Sequence, residues 1–118
     1  MLCTPATGDE SALQYPLPDW IFGFHGQQSC EKLLKALATA LNLKYSHTHS
    51  LRKLVELLGD VSETVPLPPE MIALLQPFAV ETRYDFGDPL TERDRTAIQA
   101  MVAALREHVV ARILELER

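Results

Sequence analysis

Apolar residues return at three- and four-residue steps in four stretches of the chain, and no stretch alternates convincingly with a period of two. The first stretch runs from Asp19 to Asn42. Cys30, Leu33, Leu34, Leu37, Ala40 and Leu41 form one stripe on it, and Gly23 and Gly26 lie on or near the N-terminal extension of that stripe. A helix over 19–42 is about 36 Å long at roughly 1.5 Å per residue, with Asp19 as its N-cap behind Pro18. Each glycine costs about 1 kcal/mol against alanine inside a helix, so two of them imply close approach by a neighbour.

Thr48 or Ser50 caps a second helix whose buried side is Leu51, Leu54, Val55, Leu57 and Leu58, with Gly59 as the C′ residue that ends it. Arg52 and Glu56 stand four apart and can pair on its outer side. The third helix starts at Pro69 and Glu70, packs through Met71, Ile72, Leu74, Leu75 and Phe78, is kinked or restarted at Pro77, and ends near Arg83. Thr91 and Asp94 resemble a capping box at the start of the fourth, which carries Ile98, Met101, Val102, Leu105, Val109, Ile113 and Leu116. The links are polar or rich in Pro and Gly. The pattern predicts an all-α protein, an antiparallel bundle of about four main helices with the long first helix against the last, 91–116. Residues 1–18, with Pro5, Gly8, Pro16 and Pro18, read as an irregular N-terminal segment ahead of a helical domain, 19–118.

Composition narrows the function. A chain of 118 residues is one domain. A net charge of −5 and a pI near 5.3 disfavour a broad nucleic-acid-binding surface, although Lys32, Lys35 and Lys44 make a local basic strip. No apolar run approaches the roughly 20 residues that span a bilayer, and the start shows no secretory signal. The expectation is a cytoplasmic protein with no membrane partner and reduced thiols at Cys3 and Cys30, the latter a small core residue.

Opposite the apolar stripe, His25, Gln28, Lys32 and Lys35 recur at helical steps, flanked by Gln27 and Glu31. Such a face can hold a phosphate or a partner's acidic groups, or it is simply a solvated face laced by weak pairs. The histidines His25, His47 and His49 lack the further ligands of a tetrahedral set, so no metal is expected. His49 is expected to bond backbone at the start of the second helix. There is no Gly-flanked serine, no purposeful carboxylate pair and no phosphate-binding glycine loop, and no cofactor is implied.

Phe24-His25-Gly26-Gln27-Gln28, then Glu31-Lys32 and Lys35-Ala36-Leu37, resembles the "FHAQQAAEKALKALL" helix of HEPN domains. Thr48-His49-Ser50-Leu51 resembles that family's "THDL", and Thr82-Arg83-Tyr84-Asp85 its "TRYPD". The three matches keep the family's order and cover roughly residues 17–113. The resemblance implies a HEPN-like helical domain similar to the substrate-binding partners of minimal nucleotidyltransferases. It also implies a non-catalytic role in a two-component, toxin–antitoxin-like pair, with nucleotide binding. The residues matching the motifs would then be the ligand-binding ones: His25, Gln28, Glu31, Lys32 and Lys35, with Arg83 as a phosphate clamp and Tyr84 as a stacking ring. Equally, Arg83 could pair with Glu31 across the bundle while Tyr84 plugs its end. The alternative function is a metal-independent ribonuclease. That branch carries an Arg followed after about four to six residues by a His, whereas here Arg106 and His108 are separated by one residue, and cleavage would require a divergent active site.

Related chains usually begin with a long amphipathic helix ahead of the motif helix, and this one has no recognisable equivalent. Either that helix is lost or the start is internal to a longer product. The helix around Gly23 and Gly26 is then expected to lack cover, with Trp20, Ile21, Phe22 and Phe24 adding to an apolar patch. A homodimer pairing these residues about a twofold axis is the simplest cover; the alternative is that residues 1–18 fold back over them.

Overall fold

The structure is a computed structural model that describes residues 18–79 and 89–118. Among these residues all regular structure is helical: α1, Asp19–Ala40; α2, Leu51–Gly59; α3, Pro69–Leu75, continued by a 3₁₀ turn, Gln76–Phe78; and α4, Glu92–Leu116. The all-α bundle is the one that the four stripes predict, but the main pair is not antiparallel. Asp19 meets Arg95, Gly26 faces Ile98 and Cys30 lies on Met101, so α1 and α4 run parallel, an orientation set by the intervening chain and not by either stripe. The long helix α1 packs mainly on α4 and also touches α2, α3 and the 3₁₀ turn. Leu33, Leu34 and Leu37 of α1 share one core with Leu51, Leu54 and Leu58 of α2, Leu75 of α3, and Ile98, Val102, Leu105 and Val109 of α4. No described helix is long and apolar enough to cross a membrane.

The helix ends obey local chemistry, though not always with the expected residue. Thr91 and Asp94 form a complete capping box, and the Ser50 side chain accepts from the Lys53 N–H. Asp19 is not the N-cap of α1; Pro18 holds that position. The Asp19 carboxylate instead accepts from the Leu90 N–H at 2.9 Å and from the Arg95 guanidinium at 2.7 Å. Arg95 in turn lies 4.6 Å over the Phe22 ring, so a residue read as a local cap clamps the start of α1 to the start of α4.

Gly59 is a second correction. It remains helical, and Ser62 takes the left-handed conformation with φ 63°. The Glu63 N–H reaches the Leu58 carbonyl and the Ser62 N–H the Gly59 carbonyl, which is a Schellman ending one turn beyond the glycine. Asn42, with φ 58°, ends α1 by the same device. Pro77 does stop the α-helical ladder: α3 ends at Leu75 and tightens into the 3₁₀ turn. The expected continuation to Arg83, the loop from Tyr84, and the segment before Pro18 lie outside the described residues.

Gly23 and Gly26 are both buried, and both are covered from within the chain. A Cβ at Gly23 would run into the Phe78 ring, and one at Gly26 would sit 3.0 Å from Ile98 and 3.2 Å from Leu75. The approach they permit is therefore made by side chains of the 3₁₀ turn, α3 and α4 rather than by a second molecule's backbone. Phe22 is also buried, which leaves Trp20 exposed and Ile21 and Phe24 half-buried of the expected patch.

The glycines give opposite expectations. Gly23→Ala should destabilise by about 1–3 kcal/mol, because overpacking against Phe78 outweighs the better helix propensity. Gly59→Ala has open space around its new methyl and should stabilise by about 0.5–1 kcal/mol. Urea denaturation of the two variants checks both signs.

Candidate functional site

Glu31 lies on the inner edge of the polar face of α1 and is 5% exposed, an uncommon position for a carboxylate. It is fully engaged. Gln27, one turn earlier and completely buried, donates from Nε2 to Glu31 Oε1 at 3.1 Å. Lys35, one turn later, donates to Oε2 at 3.0 Å. The His49 Nδ1 approaches both oxygens, at 3.0 and 3.2 Å. The i, i+4 spacing of Gln27, Glu31 and Lys35 stacks three polar side chains on one helix edge, and His49 reaches them from the loop ahead of α2.

The loop is fastened twice. The Gln27 Nε2 also donates to the His49 carbonyl at 3.0 Å, while its Oε1 accepts from Gln28 at 2.8 Å. His49 thus serves the start of α2 through its ring on a carboxylate, not through a ring-to-backbone bond. The signal for this was present as an acid inside the motif helix and a histidine just before the next one. Spacing alone does not say that they meet.

Burial pushes the Glu31 carboxyl up, but the hydrogen bonds from Lys35, Gln27 and His49 and the Lys35 charge outweigh it and hold the group below its ordinary value. In contrast, burial alone pushes the Cys30 thiol up to about 12. With its sulfur 3.8 Å from that of Met101, Cys30 is a core residue and not a nucleophile at neutral pH.

Of the residues predicted to bind ligand, Gln28, Glu31 and Lys35 belong to this network. His25 and Lys32 lie beside it on α1, Lys32 exposed and His25 half-buried with its ring at the edge of Phe24. Gln27 and His49 join the cluster without having been on the predicted set. Arg83 and Tyr84 lie outside the described residues. The suggested pairing of Arg83 with Glu31 therefore also lies outside the described residues, among which Glu31 is partnered by Gln27, Lys35 and His49. His47 meets His49 edge to face at 5.9 Å, but among the described residues no group of three or more His, Cys, Asp or Glu is placed to hold a metal ion.

The Glu31 network has a pH signature. A carboxylate with a depressed folded-state pKa contributes stability that is fully present above its unfolded value, about 4.3, and is lost as pH falls through the lower folded value. The wild type should therefore lose stability across that acidic window. Glu31→Gln should flatten this limb and cost roughly 1–3 kcal/mol at neutral pH by leaving its partners incompletely satisfied. Thermal melts of both proteins across pH 3–7 measure the two effects.

The family model for the HEPN domain matches residues 20–113. No curated protein and no solved structure matches the chain. The match takes in every described helix but the ends of α1 and α4, and the Gln27–Glu31–His49 network joins two of the segments whose residues resemble the family's motifs. The chain belongs to the HEPN domain family.

Proposed function

We propose that this HEPN domain is a non-catalytic binding module, the partner of a minimal nucleotidyltransferase in a toxin–antitoxin-like pair, and that it binds a nucleotide on the outer face of α1. The observation that carries the reading is the order of side chains on that face. Phe24 and His25 lie toward its N-terminal end, Gln28 follows, and Lys32 and Lys35 come last. At about 1.5 Å per residue the aromatic pair is roughly 10–15 Å from the lysines, a span suited to a base on one end and phosphates on the other. The Glu31 network fixes Lys35 and Gln28 against the bundle, so part of the strip is preorganised.

Arg106 and His108 support the non-catalytic side of the reading. Residues two apart on a helix project about 200° from each other and do not face one site. The His108 Nε2 is also closed to solvent and has no hydrogen-bond partner among the described residues, which suits a packed residue better than a general acid or base meeting RNA.

Titration of the purified protein with a fluorescent ATP analogue should give saturable binding that Lys32→Glu weakens at least tenfold. Total RNA incubated with the protein without added metal should stay intact. Cleavage that disappears in the Arg106→Ala, His108→Ala double variant would replace this reading with the ribonuclease one.

Self-association is proposed through the first turns of α1. Trp20, 41% exposed, with Ile21 and Phe24 half-buried, remains an apolar group at that end, and a twofold pairing would cover it. Light scattering at micromolar concentration should report a dimer that Phe24→Asp shifts toward monomer. A wild type that stays monomeric at high concentration refutes the pairing.

A further inference from the structure

A groove of about 590 Å³ separates α2 from α3, on a different part of the surface from the α1 strip. Its walls are apolar along most of their length, with Val55 on one side and Leu67, Pro69, Ile72 and Ala73 on the other. The volume is that of a small-molecule site. Its apolar lining is short compared with the roughly 800 Å² per partner of a stable protein interface.

The polar groups along the groove are arranged with a direction. Ser50, Arg52 and Gln76 line it, and the Leu51 N–H donates to the Gln76 Oε1 at 3.3 Å, which brings Gln76 to the start of α2. The Gln76 carbonyl is thereby used while its NH₂ has no partner among the described residues. The Ser50 oxygen accepts from Lys53, which leaves its O–H to donate. The expected Arg52–Glu56 pair is not formed: neither side chain has an ion-pair or hydrogen-bond partner among the described residues, although both line the groove. Three donors, one of them a guanidinium with no ion-pair partner among the described residues, therefore gather at the positive end of α2. One turn further along α2, Glu56 presents a carboxylate that disfavours an anion there.

We propose that this groove binds a free aliphatic carboxylate of medium chain length. Its head group lies between Arg52, the Ser50 hydroxyl and the Gln76 amide, and its chain lies on Val55, Leu67 and Ile72. The guanidinium suits a carboxylate because its fork can donate two parallel N–H bonds, and the apolar walls remove the chain from water. Glu56 sets the orientation by repelling an anionic head from the opposite end.

Calorimetric titration with decanoate, decylamine and 1-decanol, each below its aggregation concentration, tests the assignment. Decanoate should bind one per chain, with amide shifts in a nitrogen–proton correlation spectrum concentrated at residues 50–56 and 67–76. Arg52→Gln should weaken it at least tenfold. Arg52 is exposed and holds no partner among the described residues, so this variant should melt like the wild type. Ile72→Asp should abolish binding, and butyrate should bind far more weakly than decanoate. Absence of decanoate binding overturns the proposal. So does equal binding of the three head groups, preference for decylamine, or decanoate binding that Arg52→Gln leaves unchanged.

Discussion

The burial of α1 on more than half of its circumference is the constraint from which the other packing choices follow. From Ser29 round to Glu31, the buried positions cover about 200° of the helix at about 100° per residue. An apolar stripe fills only part of that arc. At its N-terminal end that stripe carries small residues, Gly23 and Gly26, where neighbouring side chains come in close. The edges of the arc take polar residues at Gln27, Ser29 and Glu31, which must find partners away from water. Gln27 and Glu31 find them in each other, Lys35 and the His49 loop. The Ser29 hydroxyl has none among the described residues, a cost of about 1–3 kcal/mol that the surrounding core outweighs.

This buried polar edge links the two proposed surfaces. Gln27 and Glu31 hold both the ring and the carbonyl of His49, and His49 immediately precedes the Ser50 cap of α2. The register of α2 against α1 is thereby set next to the donor end of the α2–α3 groove, where the Leu51 N–H meets Gln76. On the other side of the same helix edge, Gln28 and Lys35 are the inner members of the outward strip. One network thus positions groups on two faces, with charge-assisted bonds in a low-dielectric setting that makes their loss costly.

Two further ties fasten opposite ends of α4 to the rest of the bundle. Asp19 holds Leu90 and Arg95 where both helices meet near Phe22. At the far end, the Arg112 guanidinium donates to the nearly buried Glu63 at 2.7 Å, securing the turn after α2 against the last part of α4. These contacts join residues far apart in the chain, and each lies next to a helix ending whose local geometry is complete without it.

The spacing of apolar residues determined that the chain is helical, where the four helices begin to within a few residues, and most of the buried positions on each, though Leu116 at the end of the α4 stripe is exposed. Those features depend on the 3.6-residue period and on neighbouring side chains, and both are local. The Thr91–Asp94 box and the stop at Pro77 were legible for the same reason. The motif residues of α1 also identified the family before any packing was known. Only the tertiary structure decided what long-range partners do. It turned Asp19 from a cap into a clamp, assigned Gly23 and Gly26 to Phe78, Leu75 and Ile98 of the same chain, and set Arg52 and Glu56 beside a groove without pairing them to each other. It also joined Glu31 to His49, which stand 18 residues apart. Periodicity shows which side of a helix leaves water, but the partner across the gap is fixed by how the helices pack in three dimensions.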